Sequence, residues 1–208
     1  MRAQHGTINR VAASLAPPDT ETCLETLHAL APRVRLAELR LDLMKSFDLE
    51  RLVAESPVPL IITCRPPREG GRFAGSEAER LRVLARAIEL GCAYVDIEWD
   101  SVTKLGLGAR GRRRLIVSRH WNDSMPESFL PAYEELRETA AVVKLVGRAA
   151  RAGEVLPVFE LLSRADGPVV ALAMGAHGQL TRLAAPAFEH CFLTYARRRL
   201  RPSPRPAS

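Results

Sequence analysis

Apolar and polar positions along the 208-residue chain fall into short runs of two periods, and the two alternate. Residues 8–15 lean apolar, with Ser14 near the end, and predict a strand. A helix is expected from 20 to about 31, where Leu24, Leu27 and Leu30 share one face. Residues 34–42 alternate apolar and polar, the period of a strand, and set Glu38, Arg40 and Asp42 in a row on the polar face. A short helix at 49–55 stops before Pro57-Val58-Pro59, and the apolar run 60–64 reads as a strand buried on both faces. Ser76-Glu77-Ala78-Glu79 has the pattern of a capping box and opens a long helix to about 90, closed by Gly91. Further strands are expected at 92–98, 114–118, 141–146, 169–174 and 191–194, and further helices at 101–107, 127–139, 150–164 and 180–185.

Eight strands alternating with helices predict a parallel sheet, and eight such units predict a closed (β/α)8 barrel of the TIM type. The length is at the low end for that fold. An open doubly wound sheet would carry a glycine fingerprint after the first strand, and none is there. The reading is one barrel domain over residues 1–196, compact, with a short or missing final helix. An Arg- and Pro-rich tail at 197–208 has no core pattern and is expected to be extended and disordered.

Within this pattern the run Ala141-Val142-Val143-Lys144-Leu145-Val146 is unusual, because it puts a lysine inside a buried strand. Such a lysine has a partner or a depressed pKa, or it sits at the strand end and reaches water. A depressed pKa would supply the neutral amine that attacks a ketone to form a Schiff base. In a barrel of parallel strands, functional residues gather at the C-terminal ends of the strands. Glu38 and Arg40 end strand two, Arg65 and Glu69 follow strand three, and His120 follows strand five. Lys144 lies on strand six, and Arg182 is in the helix after strand seven, so all are expected at one mouth. A lysine for imine formation beside a histidine for proton transfer suits chemistry at a carbon next to a ketone. Several arginines suit a carboxylate or a polyol.

Composition narrows the partners. Apolar residues make up 47% and charged residues 26%, enough for a large core. The net charge of +6 comes largely from two arginine clusters, at 110–114 and 197–201. Neither cluster is interleaved with aromatics, so they read as solvated surface with a weak general pull on anions and not as a nucleic-acid site. No apolar run has membrane-spanning length and no apolar signal segment follows the first residues, so a cytoplasmic protein is expected. Cys23, Cys64, Cys92 and Cys191 are far apart and form no CxxC pair, which suggests free buried thiols. No metal-ligand cluster and no phosphate-binding glycine loop is apparent.

Six segments in order resemble the type I 3-dehydroquinate dehydratases of the shikimate pathway. Glu38-Leu39-Arg40-Leu41-Asp42 is similar to that family's E-x-R-x-D strand. Thr63-Cys64-Arg65 with Glu69-Gly70-Gly71 matches its T-x-R-x-x-x-E-G-G loop, and Asp96-Ile97-Glu98 its D-x-E strand. Ser118-Arg119-His120, Val143-Lys144 and the segment from Met174 to Arg182 match the S-x-H, lysine and M-G-x-x-G-x-x-[ST]-R segments. The resemblance covers about residues 8–195. It implies a cofactor-free, metal-free syn elimination of water from 3-dehydroquinate and a homodimer. By the same resemblance Lys144 forms an imine with the C3 ketone, and His120 takes the C2 proton and helps the C1 hydroxyl leave. Glu69 orients His120, and Arg182 holds the substrate carboxylate. Glu38, Arg40 and Arg65 hold ring hydroxyls, and Ser14 is a further candidate for that job. The family's closing Pro-Gly-Gln stretch has no match in 197–208, so the lid over the substrate is expected to be altered. Two alternatives stand beside it: another Schiff-base barrel enzyme such as an aldolase, which shares Lys144 but has no need of His120 with Arg182 and the Glu38/Arg40 pair, and a catalytically impaired relative that acts as a binding protein through its basic surface.

Overall fold

Val11–Leu15 (β1), Thr20–Leu30 (α1), Ala37–Arg40 (β2), Leu49–Glu55 (α2) and Leu60–Thr63 (β3) open the computed structural model, which describes residues 10–197. They are followed by Glu77–Glu89 (α3), Tyr94–Glu98 (β4), Ala109–Arg112 (α4), Leu115–His120 (β5) and Leu130–Leu136 (α5). Val142–Arg148 (β6), Leu156–Arg164 (α6), Val169–Met174 (β7), Gln179–Ala184 (α7) and Thr194–Arg197 (β8) complete the order. The strands are parallel neighbours from β8 through β1 and β2 round to β7. A parallel bridge between Val169 and Cys191 spans the gap from β7 to the segment before β8. There the Phe192 N–H donates to the Val169 carbonyl at 2.8 Å, and the Val169 N–H to the His190 carbonyl at 2.9 Å. The result is a nearly closed TIM-type barrel with helices between its strands.

The period of two in each strand sorts the side chains. Inward positions Ala12, Ile61, Ile116, Val142, Val170, Leu172 and Leu193 fill the barrel with an apolar floor. Outward positions such as Leu39, Ile62, Val95, Val117, Leu145 and Ala171 pack under the helices in a second apolar layer. Each fully buried Leu, Ile or Val here contributes roughly 1.5–3 kcal/mol. The helices start where a side chain caps them: Asp19 accepts from the Thr22 N–H, Asp48 from the Arg51 N–H, and Ser76 with Glu79 forms the expected capping box.

The differences from the expected elements have local causes. The second strand ends at Arg40, not 42, because the Asp42 carboxylate turns back to accept from the backbone N–H groups of Arg65 and Arg72 at 3.1 Å each. The expected helix at 101–107 is a 3-10 segment, Trp99–Leu105, followed by the short α4. The helices expected from 127 and 150 begin at Leu130 and Leu156, each with a proline in its first turn. The last strand is displaced to Thr194–Arg197, since Val11 to Ser14 of β1 pair with those residues while Cys191 bridges to β7. It passes the expected domain boundary at 196 by one residue. The expected tail and the short or missing final helix fall on residues 198–208, outside the described residues. No helix among the described residues is long and apolar enough to cross a membrane.

Candidate active site

The inward positions change character toward the C-terminal ends of the strands, from hydrocarbon to charge. Ser14, Glu38, Thr63, Asp96, Ser118 and Lys144 form a polar layer above the floor, and register places them side by side: Ser14 beside Glu38, Thr63 beside Asp96, Ser118 beside Lys144. Lys144, Glu38, Asp96, Glu98 and Arg65 are all buried, each 5% exposed or less. Lys144 Nζ donates to Asp96 Oδ2 at 2.6 Å, Glu38 Oε1 at 3.3 Å and the Tyr195 hydroxyl at 3.3 Å, and lies 4.5 Å from the Tyr195 ring centre. Glu38 also accepts from Ser14 Oγ at 2.5 Å and from Thr63 Oγ1 at 3.1 Å.

Of the alternatives open for the buried lysine, the structure selects the partner. Burial disfavours the Lys144 ammonium, but the Asp96 and Glu38 carboxylates outweigh it and raise the pKa above the usual lysine value. The depressed pKa envisaged from the strand alone does not occur, because two acids from β2 and β4 meet the amine. Asp96 responds in kind: burial pushes its carboxyl up, while Arg65 and Lys144 hold it well below the ordinary range. Burial likewise pushes the Tyr195 hydroxyl up.

Arg65 continues the pattern. Its Nη2 is 2.7 Å from Asp96 Oδ1, and its Nη1 is 2.6 Å from Glu98 Oε1 and 2.7 Å from Ser118 Oγ. Ser118 Oγ in turn donates to Asp96 Oδ1 at 2.6 Å. Arg65 is thus drawn inward by internal partners. Arg40, half-buried, makes a two-pronged pair with Asp42 at 2.8 and 2.7 Å.

Glu69 and His120 form a second grouping. The Glu69 carboxylate accepts from the His120 backbone N–H at 3.1 Å and lies 2.7 Å from ring Nδ1. The loop that delivers Glu69 depends on two glycines. Gly70 has φ +75, and a Cβ on Gly71 would stand 2.0 Å from the Arg65 carbonyl oxygen, so the E-G-G sequence lets the chain fold onto its own backbone. Burial, opposed by Arg65 but aided by Glu98 and Asp96, pushes the Glu69 carboxyl up to about 7. Burial, with the cations Arg65 and Lys144, holds the His120 pKa well below its usual value. His120 sits beside Val146 in the ladder, one inward position beyond the Ser118–Lys144 pair, so the imidazole lies on the strand next to the lysine.

Arg182, in α7, is half-buried and pairs with no described residue. Burial lowers its pKa, and Glu38 and Tyr195 oppose that effect.

The fold therefore gathers all eight expected residues around one end of the barrel. Sequence reasoning assigned no role to Asp96, Glu98 or Tyr195. The signal for the acids was present in Asp96-Ile97-Glu98, two carboxylates two apart on the inward face of a buried strand. Tyr195 was hidden by the displaced last strand.

A (β/α)8 barrel with a buried lysine, a carboxylate–histidine pair and, at the same mouth, an arginine with no partner among the described residues is an arrangement of ionisable groups suited to catalysis. Residues 11–202 match the family described as type I 3-dehydroquinase, and the chain belongs to that family. It is 31% identical over 188 residues to the 3-dehydroquinate dehydratase of Desulfotalea psychrophila, covering 85% of this chain and 82% of that one. It is 32% identical over 176 residues to the chloroplastic bifunctional 3-dehydroquinate dehydratase/shikimate dehydrogenase of Arabidopsis thaliana. That match covers 79% of this chain and 29% of the Arabidopsis protein. The crystal structure of 3-dehydroquinate dehydratase from Geobacillus kaustophilus HTA426 superposes with a TM-score of 0.76 at 25% identity, covering 92% of this chain and 83% of that one.

Proposed function

We propose that this enzyme removes water from 3-dehydroquinate in the shikimate pathway through an imine on Lys144. The observation that carries the reading is the setting of Lys144 Nζ, among Asp96, Glu38 and Tyr195, with His120 one inward position further on the next strand. Carboxylates that favour an ammonium also favour the iminium that replaces it, since both put one positive charge at the same nitrogen. To attack, the amine gives a proton to His120 on the next strand, which hands it to the carbinolamine hydroxyl as that group departs. Its lone pair adds to the C3 ketone, water leaves, and the iminium restores the charge. The iminium draws electrons from the C2–H bond. His120 takes that proton and returns it to the C1 hydroxyl, which departs as water on the same face. Hydrolysis of the imine then frees the product and Lys144.

The remaining residues divide the substrate between them. Arg182, whose donors meet no partner among the described residues, holds the carboxylate. Arg40 and Glu38, with Ser14 behind Glu38, meet ring hydroxyls. Arg65 serves those hydroxyls mainly by fixing Asp96, because its own guanidinium is drawn inward. Glu69 keeps the His120 ring in place. A homodimer in the cytoplasm completes the proposal, and the four buried free thiols suit a reducing compartment.

The test is to incubate the protein with 3-dehydroquinate and follow the ultraviolet absorbance of the conjugated product. Borohydride added during turnover should stop the reaction and leave one ligand on Lys144 in a peptide map. Absence of product refutes the dehydratase reading, and product formed with the label absent or on another lysine refutes the imine.

A further inference from the structure

Arg80 is the one fully buried arginine among the described residues, 0% exposed, and it lies on an outer helix. The other buried side chains of α3 are Leu84 and Ala87, so Arg80 occupies a place where an apolar residue would pack. It points through the barrel wall instead. Its Nη1 is 2.5 Å from Glu98 Oε2 and donates to the Cys64 carbonyl at 3.1 Å. Its Nε and Nη2 each lie 2.8 Å from the Glu77 carboxylate at the start of the same helix.

These contacts extend a chain of alternating charge. Asp96 bridges Lys144 and Arg65 at 2.6 and 2.7 Å, and Glu98 bridges Arg65 and Arg80 at 2.6 and 2.5 Å. Glu77 joins Arg80 to Arg68 at 3.5 Å and brings the chain to the surface. Inside the wall three cations, Lys144, Arg65 and Arg80, face three carboxylates, Glu38, Asp96 and Glu98. Arg80 makes that count balance. It also holds Arg65 twice, through the carbonyl of the preceding residue and through the carboxylate that grips its side chain. Buried ion pairs seldom exceed well-packed apolar groups in stability, so a charge here is better explained by what it positions.

We infer that Arg80 is a positioning residue for Lys144, acting through Glu98, Arg65 and Asp96 without touching the substrate. Without Arg80, Glu98 has one cation left and competes with Asp96 for Arg65. Asp96 then loses its fixed place against Nζ. Imine formation should slow while the mouth, and with it substrate binding, stays as it was.

The inference rests on the imine reading above, and wild-type turnover of 3-dehydroquinate with borohydride labelling separates the two: a wild type that is inactive, or active without label on Lys144, refutes that reading, while one that is active and labelled there puts Arg80 to the test. In Arg80→Met we expect kcat and the single-turnover rate of borohydride trapping to fall about tenfold, or 1.4 kcal/mol of barrier, with KM changed less than about threefold. Arg80→Lys should recover part of both rates. Leu84→Ala, on the same helix face, should lower the melting temperature yet leave kcat and the trapping rate per folded molecule unchanged. Adding Arg80→Met to Glu98→Gln should slow trapping little further, because both act along one path. If Arg80→Met does not fold, Arg80→Lys and Glu98→Gln carry the same cycle. Unchanged trapping in the Arg80 variants, full additivity with Glu98→Gln, or the same loss of rate in Leu84→Ala overturns the inference.

Discussion

Two ionisable groupings stand side by side at the mouth of this barrel, and burial drives them in opposite directions. Lys144 and Asp96 are buried, yet each has counter-ions close enough to outweigh its desolvation, so the charged form of each is favoured. The Glu69–His120 pair is pushed toward neutrality, with the acid's pKa raised and the base's lowered. Opposite charges at 2.6–2.7 Å surround Asp96, whereas for Glu69 burial prevails over the attraction of Arg65, with Glu98 and Asp96 adding to it. One grouping is built to hold a positive charge in a fixed place. The other is poised to move a proton at neutral pH.

The largest break comes from Lys144→Ala. Borohydride trapping should vanish and kcat/KM should fall by on the order of 10⁴–10⁶. Stability should fall as well, by about 3–5 kcal/mol, because Asp96 and Glu38 lose a buried counter-ion. Chemical denaturation beside a turnover assay reads both, and a variant as stable as wild type would show that the cage is not held by compensation. His120→Ala should behave differently. Proton transfer is lost, for a fall in kcat of about 10²–10⁴, while trapping of the substrate imine continues. Its stability should change little, since a neutral ring leaves and Glu69 can take up a proton. Loss of trapping together with turnover would merge the two groupings into one.

Arg182→Lys probes what both groupings act on. A lysine cannot reproduce a two-pronged guanidinium–carboxylate contact, so KM should rise by roughly ten- to a hundredfold, the equivalent of about 1.5–3 kcal/mol, with kcat less affected. An unchanged KM would move the carboxylate to Arg40. The finest distinction is in pH. With Glu69 near 7, acidification protonates the carboxylate that accepts from Nδ1–H and ties up the imidazole lone pair needed as base. The acid limb of kcat/KM should therefore rise with pH through about 7, an apparent value that belongs to the pair. In Glu69→Gln that limb should shift or disappear and kcat should drop several-fold. An unaltered acid limb would assign it to another group.

The alternation of helix and strand periods was legible along the chain, and with it the eight-fold barrel. The reason is local: a period of two buries one face of each strand, and a period of 3.6 buries one side of each helix, wherever the neighbours lie. The strand ends put Glu38, His120 and Lys144 at one mouth, and the E-G-G match flagged the loop that carries Glu69; that Lys144, Glu38 and His120 face inward, and that the glycines let the loop fold onto its own backbone, came from the structure. Element ends were less legible, since Asp42 ends β2 through bonds to Arg65 and Arg72, and Cys191 is claimed by β7. What the lysine would be as an acid was decided only by tertiary structure. Its direction depends on carboxylates 106 and 48 residues away, brought within 3.3 and 2.6 Å by the register of the barrel. A pKa is set by charges a few ångströms off in space, and distance along the chain carries no measure of that. Arg80 makes the same point from outside the wall: in the sequence it is one polar residue on an amphipathic helix, and only the fold turns it toward Glu98.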